Sequence, residues 1–371
     1  MSLKFDDTHY VPILKGKQGE LDAIQETPSK IRGAFTPLLE IPPIPLKYVA
    51  GEDEPIPAKS IDDHVADMAE KLAEAVGTHS PVFIDGFYVE EEENLADGSE
   101  PIAGLLSVLR EKGVQFIPTT GLDRAKEYGE AMKTAIEDDG RGCCLRLWEP
   151  DLESLADLES QIKSLLRFLA VDESDVDLLV DFGPDVPARS ALPYQIKALP
   201  MLKKWRTLTL ASSSFPMNME SIAQNSIAEL EREEWLAWMF LRSKKQSLMR
   251  MPTFSDYAIN HPELSEVDPR VMRMSPNIRY TVEVNYVVAK GKAYPRKAEG
   301  KKPGLAASDQ YPKLAQAIMR HPNWAGKKFS WGDGFIEACS RKACVGSATN
   351  WRAVGTCHHI AFVVQQLASL P

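Results

Sequence analysis

No stretch of this chain stays apolar for the roughly 18 residues that a bilayer-spanning helix requires, so no membrane span is expected. The opening residues, MSLKFDDTHYVPIL, lack the basic-then-apolar order of a secretory leader, and the cytoplasm is the expected compartment. Cysteine is scarce and odd in number, five in 371 residues, which fits a reduced compartment better than a disulfide framework. Positive charge is in deficit: 43 Lys and Arg face 53 Asp and Glu, for a formal net charge of −10. The field of such a molecule repels phosphate, which argues against a dedicated nucleic-acid binder. Histidine is sparse as well. None of the seven lies in the apolar runs of the first 260 residues, His9 standing just before the first run. That shortage counts against barrels that work through histidines in the mouth. No Walker loop, dinucleotide fingerprint or G-x-S-x-G elbow is found, and no low-complexity tract.

What the chain does have is a recurring unit. Apolar content of 44% with seven Trp is ample for a large core, and a charged fraction of 26% is ordinary. At Val176–Asp185 the run Leu178-Leu179-Val180 ends in Asp181, and Gly183-Pro184 then turns the chain. Such a run suits a strand buried on both faces of a parallel sheet. The same pattern, an apolar run closed by a polar residue and followed by a helix, recurs at Tyr10–Leu14, Phe35–Leu39, Pro81–Ile84, Val114–Pro118, Cys143–Leu147, Arg206–Ala211 and Pro252–Ser255. Helices are expected over Gly19–Thr27, Ile61–Val76, Ile102–Lys112, Arg124–Ile136, Leu152–Leu169, Leu192–Lys204 and Ile227–Arg242. Turns from helix to strand are short, whereas Ile41–Lys59 and Gly86–Glu100, from strand to helix, are long. This asymmetry belongs to a (β/α)8 TIM-barrel-like fold, whose long loops lie at the carboxyl ends of the strands. The open doubly wound sheet shares the alternation but needs a Gly-rich phosphate loop where this chain has Lys15-Gly16-Lys17-Gln18-Gly19. The expected organisation is a barrel over residues 1–277 and a C-terminal α+β extension over 278–371 packed on it. Arg279–Ala289 alternates like a strand, and Lys290–Gly304 is polar, with six Lys or Arg and one Glu.

Several segments resemble a known family. They are Tyr10–Glu20 (YVPILKGKQGE), Thr36–Pro42 (TPLLEIP), Phe254–Tyr257 (FSDY, in place of a Gly-Asp-Tyr pattern), Arg279-Tyr280-Thr281, and in the tail SWGD, NWR and His358-His359. Together they resemble the beta family proteins of phages and bacteria, across nearly the whole chain. The resemblance implies a barrel-like fold, a link to phages and mobile elements, and a part in phage–host conflict as a defence or counter-defence factor. It implies no catalytic residues.

The first candidate site is the ring of polar strand ends: Lys15, Glu40, Asp85, Thr119, Arg146, Asp181, Ser212 and Asp256. Carboxylates gathered at one mouth suit a divalent metal, with Lys15 and Arg146 on a phosphate or carboxylate, or else divide acid and base roles between them. The competing reading is a set of buried salt bridges without catalysis. The second candidate is Cys339-x4-Cys344-x12-Cys357-His358, a spacing compatible with structural zinc but without a paired C-x-x-C. Against it, the cysteines read as small apolar filler. Ser212–Ser214 would need His358 or His359 folded back over the mouth to become a nucleophile. Lys290–Lys302 is the one segment that suits a polyanion, although its Gly, Pro and Glu read as a solvated loop, as does the acidic tract Glu90–Glu93. Three classes follow: a metal-assisted or acid–base hydrolase of a phosphorylated ligand, a ligand-sensing barrel without turnover, and a protein-interaction barrel. Substrate, partner and cofactor are not legible in the residues.

Overall fold

The computed structural model describes residues 5–49, 54–264, 275–293 and 307–371. Eight parallel strands close into a barrel: β1 (Tyr10–Leu14), β2 (Leu38–Glu40), β5 (Val82–Asp85), β6 (Phe116–Thr120), β7 (Cys143–Trp148), β8 (Val176–Asp181), β9 (Thr207–Ala211) and β11 (Thr253–Asp256). Each strand neighbours the next in this order, and β11 returns to β1 with Pro12 opposite Asp256. A two-stranded hairpin, β3 (Leu46–Lys47) and β4 (Ile56–Pro57), projects from the long loop after β2. The barrel is the expected fold, and its eighth strand falls where the sequence places it.

Alternation along the strands sorts side chains into two sets. Val11, Ile13, Leu38, Phe83, Ile117, Cys144, Leu179, Ala211 and Tyr257 point inward and form one buried cluster. Their neighbours, among them Tyr10, Leu39, Ile84, Phe116, Leu145, Val180, Leu210 and Phe254, point outward into the larger core beneath the helices. At the amino-terminal end Asp177 closes the lumen, accepting from Arg206 Nε at 3.0 Å, Arg206 Nη2 at 2.6 Å and Thr207 Oγ1 at 2.8 Å.

The outer ring comprises α1 (Gln18–Glu26), the short α2 (Ser29–Arg32), α3 (Ile61–Val76), α4 (Pro101–Glu111), α5 (Lys126–Asp139), α6 (Leu155–Leu169), α7 (Leu192–Ala198) and α8 (Glu233–Ser243). Ser60 caps α3 by accepting from Asp63 N at 3.1 Å. Gly142, in the turn before β7, has φ +67°, and a Cβ there would run into Asp175 O.

Two expectations are corrected. The helix expected over Ile227–Arg242 begins only at Glu233, because Ser226–Glu231 forms β10, whose half-buried and exposed residues alternate with period two. Arg279–Ala289 is not one strand: it folds into β12 (Asn277–Thr281) and β13 (Asn285–Lys290), which with β10 make an antiparallel sheet in the order β10-β13-β12. This sheet, α9 (Ala307–Met319) and α10 (Trp331–Ser340) share a second core around Ile278, Tyr280, Ile318, Ile336 and Trp351. The last helix, α11 (Ala348–Ala368), then comes back to the barrel. It packs on α1 and β1, and its Ile360, Val363, Val364 and Leu367 belong to the barrel's outer core. On its other side Arg242 of α8 donates to Pro371 O at 2.6 Å. Helix α11 thus occupies the eighth helical position, between α8 and α1.

Candidate functional site

Inward-pointing residues one step above the apolar layer form a polar layer at the carboxyl ends of the strands. Arg146 of β7 lies at its centre and is fully buried. Its Nε and Nη2 donate to Asp181 Oδ2 at 3.0 and 2.6 Å, and its Nη1 to Glu40 Oε1 at 2.9 Å and Asp85 Oδ2 at 2.7 Å. Nη2 also meets Tyr257 OH at 2.8 Å, and Tyr257 OH donates to Asp181 Oδ2 at 2.6 Å. Lys15 Nζ lies 2.6 Å from Glu40 Oε2 and is capped by Tyr88 OH at 2.8 Å and by the Pro262 carbonyl. Arg124 Nη2 covers the other side of Asp85, reaching Oδ1 at 2.8 Å. The Trp148 ring lies against the Arg146 guanidinium, 3.9 Å from its carbon.

Charge in the fully buried part of this layer is balanced: Glu40, Asp85 and Asp181 face Lys15, Arg124 and Arg146, and Glu90 at the rim shares Arg124. Burial opposes ionisation of Asp85, but Arg124 and Arg146 outweigh it and hold its pKa below the ordinary carboxylate value. Burial likewise opposes the charge on Lys15, and Glu40 with Tyr88 more than compensates, so its pKa is raised. Burial raises the Tyr257 hydroxyl well above its ordinary value, with Asp181 and Glu40 adding to the effect against Arg146.

Of the strand-end residues named from sequence, Lys15, Glu40, Asp85, Arg146 and Asp181 meet in one network, and Thr119 lies on the same inward face of β6 next to it. Asp256 and Ser212 do not belong to it. Each faces outward by strand alternation, and the adjacent Tyr257 and Ser213 take the inward places. Sequence reasoning also missed Arg124, which supplies the third cation from the loop before α5, and Tyr88 and Glu90 from the loop after β5. Glu90 is no solvated charge: it accepts from Arg124 Nη1 at 2.8 Å and Ala125 N at 2.6 Å.

Asp256 has a different setting, in the seam between barrel and extension. It accepts from Tyr10 OH at 2.5 Å and Ala258 N at 2.8 Å, and His359 Nε2 of α11 lies 3.0 Å away. The other ring nitrogen of His359 is 2.7 Å from Thr281 Oγ1. Burial works against the Asp256 charge, yet His359, Arg232 and Tyr10 keep its pKa below the ordinary value. Burial lowers the pKa of His359, against the pull of Asp256. His358 points elsewhere, with Nδ1 2.9 Å from Asp333 Oδ2 and Nε2 2.8 Å from Thr281 O, and its ring stacks on Tyr280. Tyr10, Asp256, Thr281, Asp333 and His358-His359, from five of the segments that carry the family resemblance, therefore meet at this seam.

The zinc expectation receives no ligand set. Both His358 nitrogens are engaged as described. Cys344 Sγ lies 3.7 Å from Phe335 O, and Cys339 and Cys357 are buried free thiols. Among the described residues no three His, Cys, Asp or Glu side chains are placed to hold a metal ion. Lys290 is spent on structure, donating to Met219 O at 2.6 Å and Ile222 O at 2.8 Å. Lys292 is exposed, while Arg296, Lys297, Lys301 and Lys302 lie outside the described residues.

An eight-stranded parallel barrel with helices around it and a charge-balanced layer at the carboxyl ends of its strands is a TIM-barrel-like protein. The chain belongs to the family described as Beta protein, whose model matches residues 10–365, a family of bacteria and phages without an assigned activity. No curated protein matches the chain. Among solved structures it is similar to a mutant tryptophan synthase α-subunit from Pyrococcus furiosus, at 12% identity over 69% of this chain and 89% of that one with a TM-score of 0.36. Similar values hold for triosephosphate isomerase from Bartonella henselae, with 12% identity, 67% and 92% coverage and a TM-score of 0.32. The carboxyl transferase domain of Rhizobium etli pyruvate carboxylase matches at 11% identity over 97% of this chain and 49% of that one, with a TM-score of 0.38. Among the described residues no helix is long and apolar enough to cross a membrane.

Proposed function

We propose that this barrel is a binding protein without turnover, which senses a ligand or engages a partner protein in the phage–host setting that its family implies. The observation that carries this reading is the state of the mouth. Glu40, Asp85 and Asp181 are each committed to a buried cation, and Tyr88 and the Pro262 carbonyl close over Lys15. A hydrolase needs a carboxylate free to take a proton or hold a metal where substrate can reach it. Here all three carboxylates are at most 1% exposed. A second use of the same groups, acid–base or metal-assisted hydrolysis of a phosphorylated ligand, requires this network to open.

The test is a pair of variants, Asp85→Asn and Asp181→Asn, each measured for unfolding midpoint and for phenotype per folded molecule. The binding reading expects both to melt early, because each leaves Arg146 short of a buried counter-charge, and to keep function per folded molecule. Variants that fold as well as the wild type but lose function would make the mouth a catalytic site.

A further inference from the structure

Beside the mouth, where the loop after β1 meets β12 and the first turns of α11, positive charge is left over. Lys17 stands at the start of α1, Arg279 comes from β12 and Arg352 from α11. The three are drawn together by close packing: Gly19 lies against Thr349 O and Arg352 Cβ, and Gly355, one turn after Arg352, against Arg279 O. Arg279 donates to Ile259 O at 2.6 Å and Asn277 Oδ1 at 3.2 Å, and lies over the Phe215 ring, with no carboxylate among these partners. Among the described residues the Arg352 guanidinium makes no hydrogen bond or ion pair. Among the described residues the carboxylate of this corner is Glu20, buried, with one oxygen 2.5 Å from Asn260 Nδ2 and the other accepting from Lys17 N at 3.3 Å. Neighbouring Lys15 is already spent on Glu40.

Among the described residues, three cations against one carboxylate leave two positive charges in this partly buried corner, which is costly unless an anion is bound. The strain shows in the arginines. Burial lowers the pKa of Arg352, opposed by Glu20, and burial together with Arg352 lowers that of Arg279.

We infer that Lys17, Arg279 and Arg352 form a binding site for a phosphate group. A phosphate monoester carries about −1.5 to −2 charges at neutral pH, matching the excess of two, and its oxygens suit the forked donors of a guanidinium. Barrels of this architecture hold phosphate at the same end, near the last strands. The inference stands whether or not the mouth turns over a substrate.

The test uses the full-length protein, with thermal unfolding and calorimetry in inorganic phosphate against chloride at matched ionic strength, and adenosine 5′-monophosphate as a second probe. Phosphate raises the unfolding midpoint of the wild type. Arg352→Gln and Arg279→Gln each weaken phosphate binding at least tenfold, while the exposed Arg189→Gln leaves it unchanged. In chloride alone Arg352→Gln melts no earlier than the wild type, because it removes a like charge. Tighter binding of the nucleotide than of phosphate marks a phosphorylated metabolite as the ligand, and equal binding marks phosphate itself. The inference is overturned by a midpoint indifferent to phosphate, by an Arg352→Gln variant that keeps the response, or by an equal loss in Arg189→Gln.

Discussion

Replacing Arg146 by Met removes the centre of the mouth and strands its counter-charges unequally. Glu40 keeps Lys15 and Asp85 keeps Arg124, so these two remain paired. Asp181 loses both of its bonds from the guanidinium and retains only Tyr257 OH at 2.6 Å and Gly183 N at 2.9 Å. One carboxylate is therefore left buried without a cation, a loss of about 3–5 kcal/mol. Against a total stability of about 5–15 kcal/mol this is a large share. Urea unfolding at neutral pH is the assay. The double variant Arg146→Met/Asp181→Asn, which removes both charges, should recover part of the loss. An Arg146→Met protein with an unchanged midpoint would refute the reasoning, since the layer would then contribute nothing to the fold.

Other perturbations read other parts of the molecule. Burial pushes the Glu100 carboxyl up to about 7, against the N–H groups of Ile102 and Ala103, which it accepts at the start of α4. Its folded pKa exceeds its unfolded one, so stability declines as the pH rises from about 4.5 to 7. After allowance for its partial exposure the decline is about 1–2 kcal/mol, and Glu100→Gln should abolish it in a pH series of unfolding curves. His359 has the opposite sign. Its lowered folded pKa makes stability complete above about 6.5 and lost progressively below that value, so His359→Gln should flatten the acid limb. Dialysis against EDTA should leave the midpoint unchanged, because both His358 nitrogens are already occupied by Asp333 and the Thr281 carbonyl; stoichiometric zinc by elemental analysis would contradict this. Gly142→Ala should cost several kcal/mol, since the new methyl meets Asp175 O at a positive φ, and an unchanged midpoint would count against that geometry.

The barrel was legible because strands buried on both faces appear as uninterrupted apolar runs and because loop lengths betray which end is which. The mouth was partly legible for the same reason. A polar residue at the end of such a run is conspicuous, and for Lys15, Glu40, Asp85, Arg146 and Asp181 conspicuousness coincided with an inward direction. For Asp256 it did not. In Thr253–Tyr257 both Asp256 and Tyr257 are plausible ends, and which one enters the lumen depends on the pairing of Pro12 with Asp256, a long-range fact. Arg124 escaped because it belongs to no strand, and its role comes from loop geometry alone. The segment Ser226–Glu231 deceived differently: glutamates and apolar residues side by side suit a helix as well as an edge strand, and pairing with β13 decides between them. No spacing in the sequence predicted that Lys17, Arg279 and Arg352, from three distant stretches of the chain, share a corner.

The eighth helical position is filled by residues 348–368, far beyond the eighth barrel strand in sequence. During synthesis the eight strands are all outside the ribosome long before α11, yet the gap between α8 and α1 stays open until residues 348–368 emerge. Until then β1 and α1 expose the apolar surface that Ile360, Val363, Val364 and Leu367 later cover. Closure of the helical ring thus waits for α11, and a chain stopped short of it lacks a wall of the barrel.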